Sequence, residues 1–225
     1  MALDIYAGPL TRYFNQDWKT VGQQAAEAQG MKFVVVRPPR LFKFKERRMP
    51  KYRDRLISDL GARGCKVHPW KEEGDYFTDR LGWESQGALV IRAIYQSGVP
   101  TEPEPTVFPE NAFENPFLRE ALKRDQSLLQ LVLCETWIPS DETVVFQWQL
   151  PGRKNDSVGT TGGLLRVLHQ MCDRSGLDAE YLKEAPLDQP GRENTVAEGV
   201  EYGLSIMLRV ATWAHGRRMP MILDY

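Results

Sequence analysis

Three histidines (His68, His169, His215) and three cysteines (Cys65, Cys134, Cys172) are the residues best suited to metal or nucleophilic chemistry. Their spacing argues against both. A zinc centre needs about four converging donors, and neither Cys-x-x-Cys nor His-Glu-x-x-His occurs. His169 and Cys172 share a helical face, but two donors do not make a site, and a cysteine beside Met171 fills core space. Cys65 has basic neighbours that favour a thiolate, with His68 three residues along. Such Cys/His pairs are assembled by the fold rather than by proximity, and a turn entering a strand accounts for Gly64–Val67 without chemistry. Gly-x-Ser-x-Gly is absent. The expectation is no metal and no cofactor, and these residues assign no catalytic group.

The run Ser157-Val158-Gly159-Thr160-Thr161-Gly162-Gly163 opens a helix, where free N–H groups can hold an anion. No lysine follows as in a Walker loop, and the glycine spacing is not that of a dinucleotide fingerprint. Gly159, Thr160 and Thr161, with Arg12 as a cation, form the anion-binding candidate. Its rival is Thr160 as a simple cap, with glycines allowing close packing. Carboxylates cluster at Glu72, Glu73, Asp75 and Asp79; if helical, Asp75 and Asp79 share a face. A solvated acidic turn over Trp70, Tyr76, Phe77 and Trp83 is the simpler account. Asp4 and Asp224 each follow a leucine in a short terminal strand, so they meet at one sheet end if those strands adjoin.

The strongest local bias lies in 37–55. Nine residues there are basic (Arg37, Arg40, Lys43, Lys45, Arg47, Arg48, Lys51, Arg53, Arg55), against Glu46 and Asp54. If extended, Phe42 and Phe44 take one face and Lys43 and Lys45 the other. Arg40, Phe42, Lys43, Phe44, Lys45, Arg47 and Arg48 are the candidate partner-binding residues, suited to RNA, a membrane surface or an acidic protein. The whole chain has 29 basic and 30 acidic residues, a net charge of −1. That balance argues against nucleic acid and leaves an acidic protein surface as the expected partner.

These residues need elements to hold them. Leu3–Ala7 reads as a first strand, Trp18–Ala28 as a helix capped by Asp17 and stopped at Gly30, and Lys32–Val36 as a second strand. Helices are expected over Lys51–Ala62 behind Pro50, and over Trp83–Gln96 before Gly98. Prolines at 100, 103, 105 and 109 make 99–109 an extended connector and a possible internal boundary of a single 225-residue domain. A short helix over Phe117–Lys123 follows. Leu128–Glu135 and Thr143–Leu150 read as a strand pair, with Val144, Phe146 and Trp148 on one face. Thr160 and Thr161 open a helix, a longer one spans Thr195–His215, and Met221–Tyr225 is a terminal strand. The expected class is α+β, a mixed sheet with an antiparallel hairpin flanked by helices, or else α/β with a mixed sheet. No apolar run approaches the ~20 residues that cross a bilayer, no secretory signal is legible, and odd, scattered cysteines fit a reducing cytoplasm.

Three stretches carry a resemblance: Leu3-Asp4-Ile5-Tyr6-Ala7-Gly8-Pro9-Leu10-Thr11-Arg12-Tyr13, Val158–Leu165, and Met219-Pro220-Met221-Ile222-Leu223-Asp224-Tyr225. They resemble a group of uncharacterised bacterial proteins, of the small soluble kind suspected to be immunity proteins that neutralise a cognate toxin. The resemblance implies a non-catalytic interaction protein and carries over no functional residue. The rival readings are a small enzyme acting on an anionic metabolite or nucleotide, through Thr160 and basic groups such as Arg12 or Arg153, and an RNA-associated protein using 37–55.

Overall fold

The computed structural model describes residues 3–31, 48–149, 156–191 and 194–224. Strand β1 (Asp4–Ala7) pairs antiparallel with β2 (Phe77–Arg80) on one side and with β6 (Met221–Asp224) on the other. Beyond β6 lie β3 (Thr136–Ile138), then β5 (Asp156–Thr160), then β4 (Phe146–Trp148) at the edge. Only β3 and β5 pair in parallel. Six strands and nine helices among the described residues make a mixed-sheet α+β fold, as the sequence predicts.

The helices are α1 (Leu10–Phe14), α2 (Val21–Ala28), α3 (Met49–Gly61), α4 (Trp83–Gln96), α5 (Leu118–Arg124), α6 (Leu129–Val132), α7 (Thr161–Ser175), α8 (Ala179–Glu184) and α9 (Val196–Arg217). Helix α9 opens with a capping box between Thr195 and Glu198 and closes in a left-handed Arg218. It packs with α4 and α7 over the sheet face that carries Ile5, Ala7, Trp137, Met221 and Leu223. Two glycines set how closely α9 meets α4. A Cβ on Gly203 would lie 2.9 Å from Leu89 and 3.1 Å from the Ser85 carbonyl, and one on Gly199 would lie 2.7 Å from Phe108.

The other sheet face carries Tyr6, Ile138, Val158 and Ile222, under Leu10 and Tyr13 of α1, Leu56 and Leu60 of α3, and Trp70. Burial on both faces explains why Ile5, Tyr6 and Ala7 are all fully buried. The proline-bearing connector 99–109 crosses the surface as expected. Strands from both sides of it join one sheet, and it is anchored by the Arg92–Glu104 ion pair (2.8 Å) and by Val196 N–H donating to the Thr106 carbonyl (2.9 Å).

Several expectations are corrected. Leu128–Glu135 is not a strand. Asp125 accepts the Ser127 N–H (3.0 Å) and starts a 3₁₀ turn that continues into α6. An unbroken apolar run fits either state, and leucines without β-branching favour the helix. The hairpin is therefore β4–β5, not a pairing of β4 with 128–135. Helix α2 starts at Thr20 rather than Asp17, because Thr20 and Gln23 satisfy each other's backbone N–H reciprocally (3.3 and 3.0 Å). Asp75 and Asp79 share no helix, since Asp79 lies in β2 beyond a left-handed Gly74. The strand expected at 32–36 lies outside the described residues.

Gly159 in β5 is the tightest test of this packing. An added Cβ would run into Gln130 Oε1 and lie 2.8 Å from Trp137. Gly159→Ala should cost about 1–3 kcal/mol by overpacking. Gly216→Ala, in α9 with nothing near the new methyl, should stabilise by up to about 1 kcal/mol. Urea unfolding of the two variants checks both signs.

Candidate functional site

At the end of the sheet where β3 and β5 finish, the fold brings together two histidines that the sequence keeps far apart. The loop after β3 presents Asp141, whose Oδ2 takes His68 Nε2 at 2.8 Å and whose Oδ1 stands 3.3 Å from His215 Nε2. His215 Nδ1 then accepts from the Thr161 hydroxyl at 2.9 Å, the tautomer required if Nε2–H faces the carboxylate. Backbone ties place the loop. His68 N–H donates to the Pro139 carbonyl (2.8 Å), and the Ser140 hydroxyl donates to the Lys66 carbonyl (2.7 Å). The His68 hydrogen bond holds Asp141 below the usual carboxylate range, helped by the nearby Arg166 charge.

This line of groups offers a proton a path between a carboxylate, two imidazoles and a hydroxyl. Thr161 is fully buried. Three of the N–H donors at this helix start are already used. Gly162 N–H goes to the Ser140 carbonyl (2.9 Å), Gly163 N–H to Thr160 Oγ1 (3.2 Å), and Thr160 N–H to Gln130 Oε1 (2.9 Å). The Thr160 hydroxyl donates to the Glu142 carbonyl. Thr160 is thus the cap of α7, and Gly159 serves close packing. Arg12 makes its contacts elsewhere: its guanidinium donates to the Asp17 and Gly74 carbonyls (both 2.7 Å) and lies 4.6 Å from the centre of the Tyr76 ring. The structure binds Thr160 into the fold, packs Gly159 closely and does not bring Arg12 to them.

At the opposite sheet end Asp4 and Asp224 are register partners, so the two terminal carboxylates do meet. Burial pushes Asp4 up and Arg80, 3.4 Å away, pulls it back, while Asp224 and Asp79 push it further up. Tyr13 donates to Asp224 (2.5 Å), and Asp79, on the other face, pairs with Arg209 (2.9 Å). Each carboxylate is held by a partner from another element, which ties α1, β2 and α9 to the sheet. Glu72 of the acidic turn is likewise occupied, accepting Thr11 N–H (2.8 Å) at the start of α1 and Trp70 Nε1–H (2.7 Å).

The proposed Cys65–His68 pair does not form. His68 is held by Asp141, and burial, with Glu142 beside it, raises the Cys65 thiol. Burial also raises Cys134 to about 12 and Cys172 to about 11. Among the described residues no three His, Cys, Asp or Glu side chains are arranged to hold a metal ion. Of the basic candidates, Arg40, Phe42, Lys43, Phe44, Lys45 and Arg47 lie outside the described residues, while Arg48 is exposed at the N-cap of α3.

A different surface is open. Residues 108–113 fold back over the first turn of α4, and Asn111 Oδ1 accepts Phe113 N–H (3.0 Å) to fix the turn. Between them lies a groove of about 490 Å³, lined by Trp83, Glu84, Phe108, Glu110, Asn111 and Phe113 among others. Trp83 is 42% and Phe113 38% exposed, high for large aromatic side chains. The sequence reading missed this groove, although aromatic residues interleaved with glutamates across 108–114 were there to be noticed. Comparison with protein-family models, with curated proteins and with solved structures finds no match.

Two measurements test these assignments. All three thiols are buried, so at pH 8 the native protein should react with a thiol reagent far more slowly than the urea-unfolded chain; rapid labelling of Cys65 in the native state would contradict its assignment. For Asp141, a folded value below the unfolded one means its stabilisation is present above about pH 4 and is lost as acid titrates through the lowered folded value. The urea-midpoint gap between wild type and Asp141→Asn should therefore close on going to pH 3 and below.

Proposed function

We propose that this chain is a non-catalytic interaction protein that works by binding another protein. The observation that supports this most directly is the contrast between its surfaces. The titratable clusters at both sheet ends are occupied by the protein's own side chains and backbone, while an aromatic groove stands open to solvent. Catalysis needs a reacting group beside space for a substrate, and Thr161, the candidate nucleophile, has no exposed surface.

The finer reading is an immunity protein that neutralises a cognate toxin in the bacterial cytoplasm. It rests on the resemblance of the three quoted stretches, with buried free thiols suiting a reducing compartment. Among the described residues no helix is long and apolar enough to cross a membrane.

The test is isolation of the tagged full chain from its source cells, followed by reconstitution with each co-purifying protein made separately. A complex with Kd of about 1 μM or tighter and rescue of growth when a toxic partner is co-expressed with this chain are expected. Absence of any reconstituted complex, or turnover of a metabolite by the purified chain alone, would overturn the reading.

A further inference from the structure

We infer that the connector 99–109 is a docking ridge for a protein partner whose binding groove is lined by aromatic side chains and rimmed by lysine or arginine. This rests on the interaction-protein reading and names the chemistry of the partner.

Prolines preset the backbone of the connector. Pro100, Pro103, Pro105 and Pro109 each hold φ near about −65° and push the residue before them away from the helical region. The structure accordingly has no helix in 99–109, and the isolated bridge between Val107 and Thr195 ties the segment to the turn before α9. An exposed strand edge would invite a partner strand, but Pro103, Pro105 and Pro109 have no N–H to give one. A polyproline-II surface is what they offer instead. That conformation repeats every three residues, which sets Pro100, Pro103, Thr106 and Pro109 along one side. Pro103, Thr106 and Pro109 are exposed and Pro100 is half-buried. Val107, next to them, leaves 69% of its surface in water, an apolar knob on the same segment.

Such a ridge is read by aromatic side chains that pack on the proline rings, while indole or phenol donors reach the carbonyls between them. Charge then sets the rim of the partner's groove. Between Arg92 and Arg119 the chain has no basic residue and four glutamates, Glu102, Glu104, Glu110 and Glu114. Glu104 is neutralised by Arg92 (2.8 Å). Glu102, Glu110 and Glu114 are exposed and take part in no ion pair among the described residues. A basic rim pairs with these three charges and is steered toward them, whereas an acidic rim, a nucleic acid or an anionic membrane is repelled. The ridge is also held before any partner arrives. Glu104 is clasped by Arg92, the Thr106 carbonyl accepts Val196 N–H (2.9 Å), and Phe108 sits so close to Gly199 that a Cβ there would lie 2.7 Å from its ring. Binding therefore costs little backbone ordering, which favours affinity.

The experiment titrates the full chain into two isotope-labelled forms of one WW domain, a small fold that takes proline-rich segments in an aromatic groove. One form carries lysines at the rim of that groove and the other glutamates, and NMR shifts of the groove residues read binding. The lysine-rimmed form should approach saturation below about 1 mM chain and weaken as salt rises, and the glutamate-rimmed form should not bind. Pro100→Ala/Pro103→Ala, which removes two rings and frees the backbone, should weaken binding about fivefold or more. Glu102→Gln/Glu110→Gln should weaken it about tenfold. Glu73→Gln, which removes an exposed charge from the acidic turn before β2, should change nothing. Pro103, Glu102 and Glu110 are exposed, so the variants should melt like wild type, and Pro103→Ala alone provides a milder second variant. Failure of the lysine-rimmed form to saturate, equal binding of the glutamate-rimmed form, or unchanged affinity in correctly folded variants would each overturn the inference. A reconstituted protein complex that ignores these substitutions would reject the ridge while leaving the interaction-protein reading standing.

Discussion

Gln130 of α6 is fully buried and bonds to three other segments at once. Its Oε1 accepts the Thr160 N–H, its Nε2 donates to the Val144 carbonyl (2.7 Å), and its backbone carbonyl accepts the Trp137 indole N–H (2.9 Å). An amide in an apolar interior is costly unless every bond is made, so this arrangement fixes α6 against β3, β5 and the approach to β4 in a single geometry. Two features of the candidate sites follow. Thr160, held through its own N–H, turns its hydroxyl to the start of α7, where it takes the Gly163 N–H. The loop after β3 is then drawn over that helix start, which carries Asp141 to His215 and His68.

Strands β1 and β6 are adjacent in the same sheet, and three separate stretches of sequence build around them. Leu3–Tyr13 makes β1 and α1, Val158–Leu165 makes β5 and the start of α7, and Met219–Tyr225 contains β6. Tyr6, Tyr13, Trp18 and Tyr76 stack around one another beneath Arg12, with neighbouring centroids 5.2 to 5.9 Å apart. Those aromatic residues lie in or against the core on one face of the sheet. They say little about what its surface meets.

Legibility in the sequence tracked how local the physics is. Helices α4, α7 and α9 were readable from apolar period, caps and terminal glycines, because each signal lies within a few residues of its effect. The Asp4–Asp224 meeting was readable as a conditional, since terminal strands that pair must align their ends. Strand β2 was not, because Phe77–Arg80 is half-buried and earns its conformation only from pairing with β1. Leu128–Glu135 was misread because an unbroken apolar run has no period to choose helix over strand. The histidine–aspartate cluster could not be found in the sequence: its members stand 73 and 54 residues apart along the two hydrogen bonds that build it, from His68 to Asp141 and from Thr161 to His215.

The groove differs from the two titratable clusters in a way that bears on function. In the clusters, each charged or hydroxyl group meets a counterpart from another element, so the side chains stabilise a fold and have little left to offer a ligand. At the groove, the Trp83 and Phe113 rings keep much of their surface in water and Glu110 is exposed. Buried apolar area stabilises at roughly 25 cal/mol per Å², and Trp83 and Phe113 leave much of theirs in solvent. Their backbone is nonetheless fixed by Asn111 and by the first turn of α4. The near-neutral total charge of −1 says nothing of how charge is distributed locally, because fields between exposed charges fade within about a Debye length.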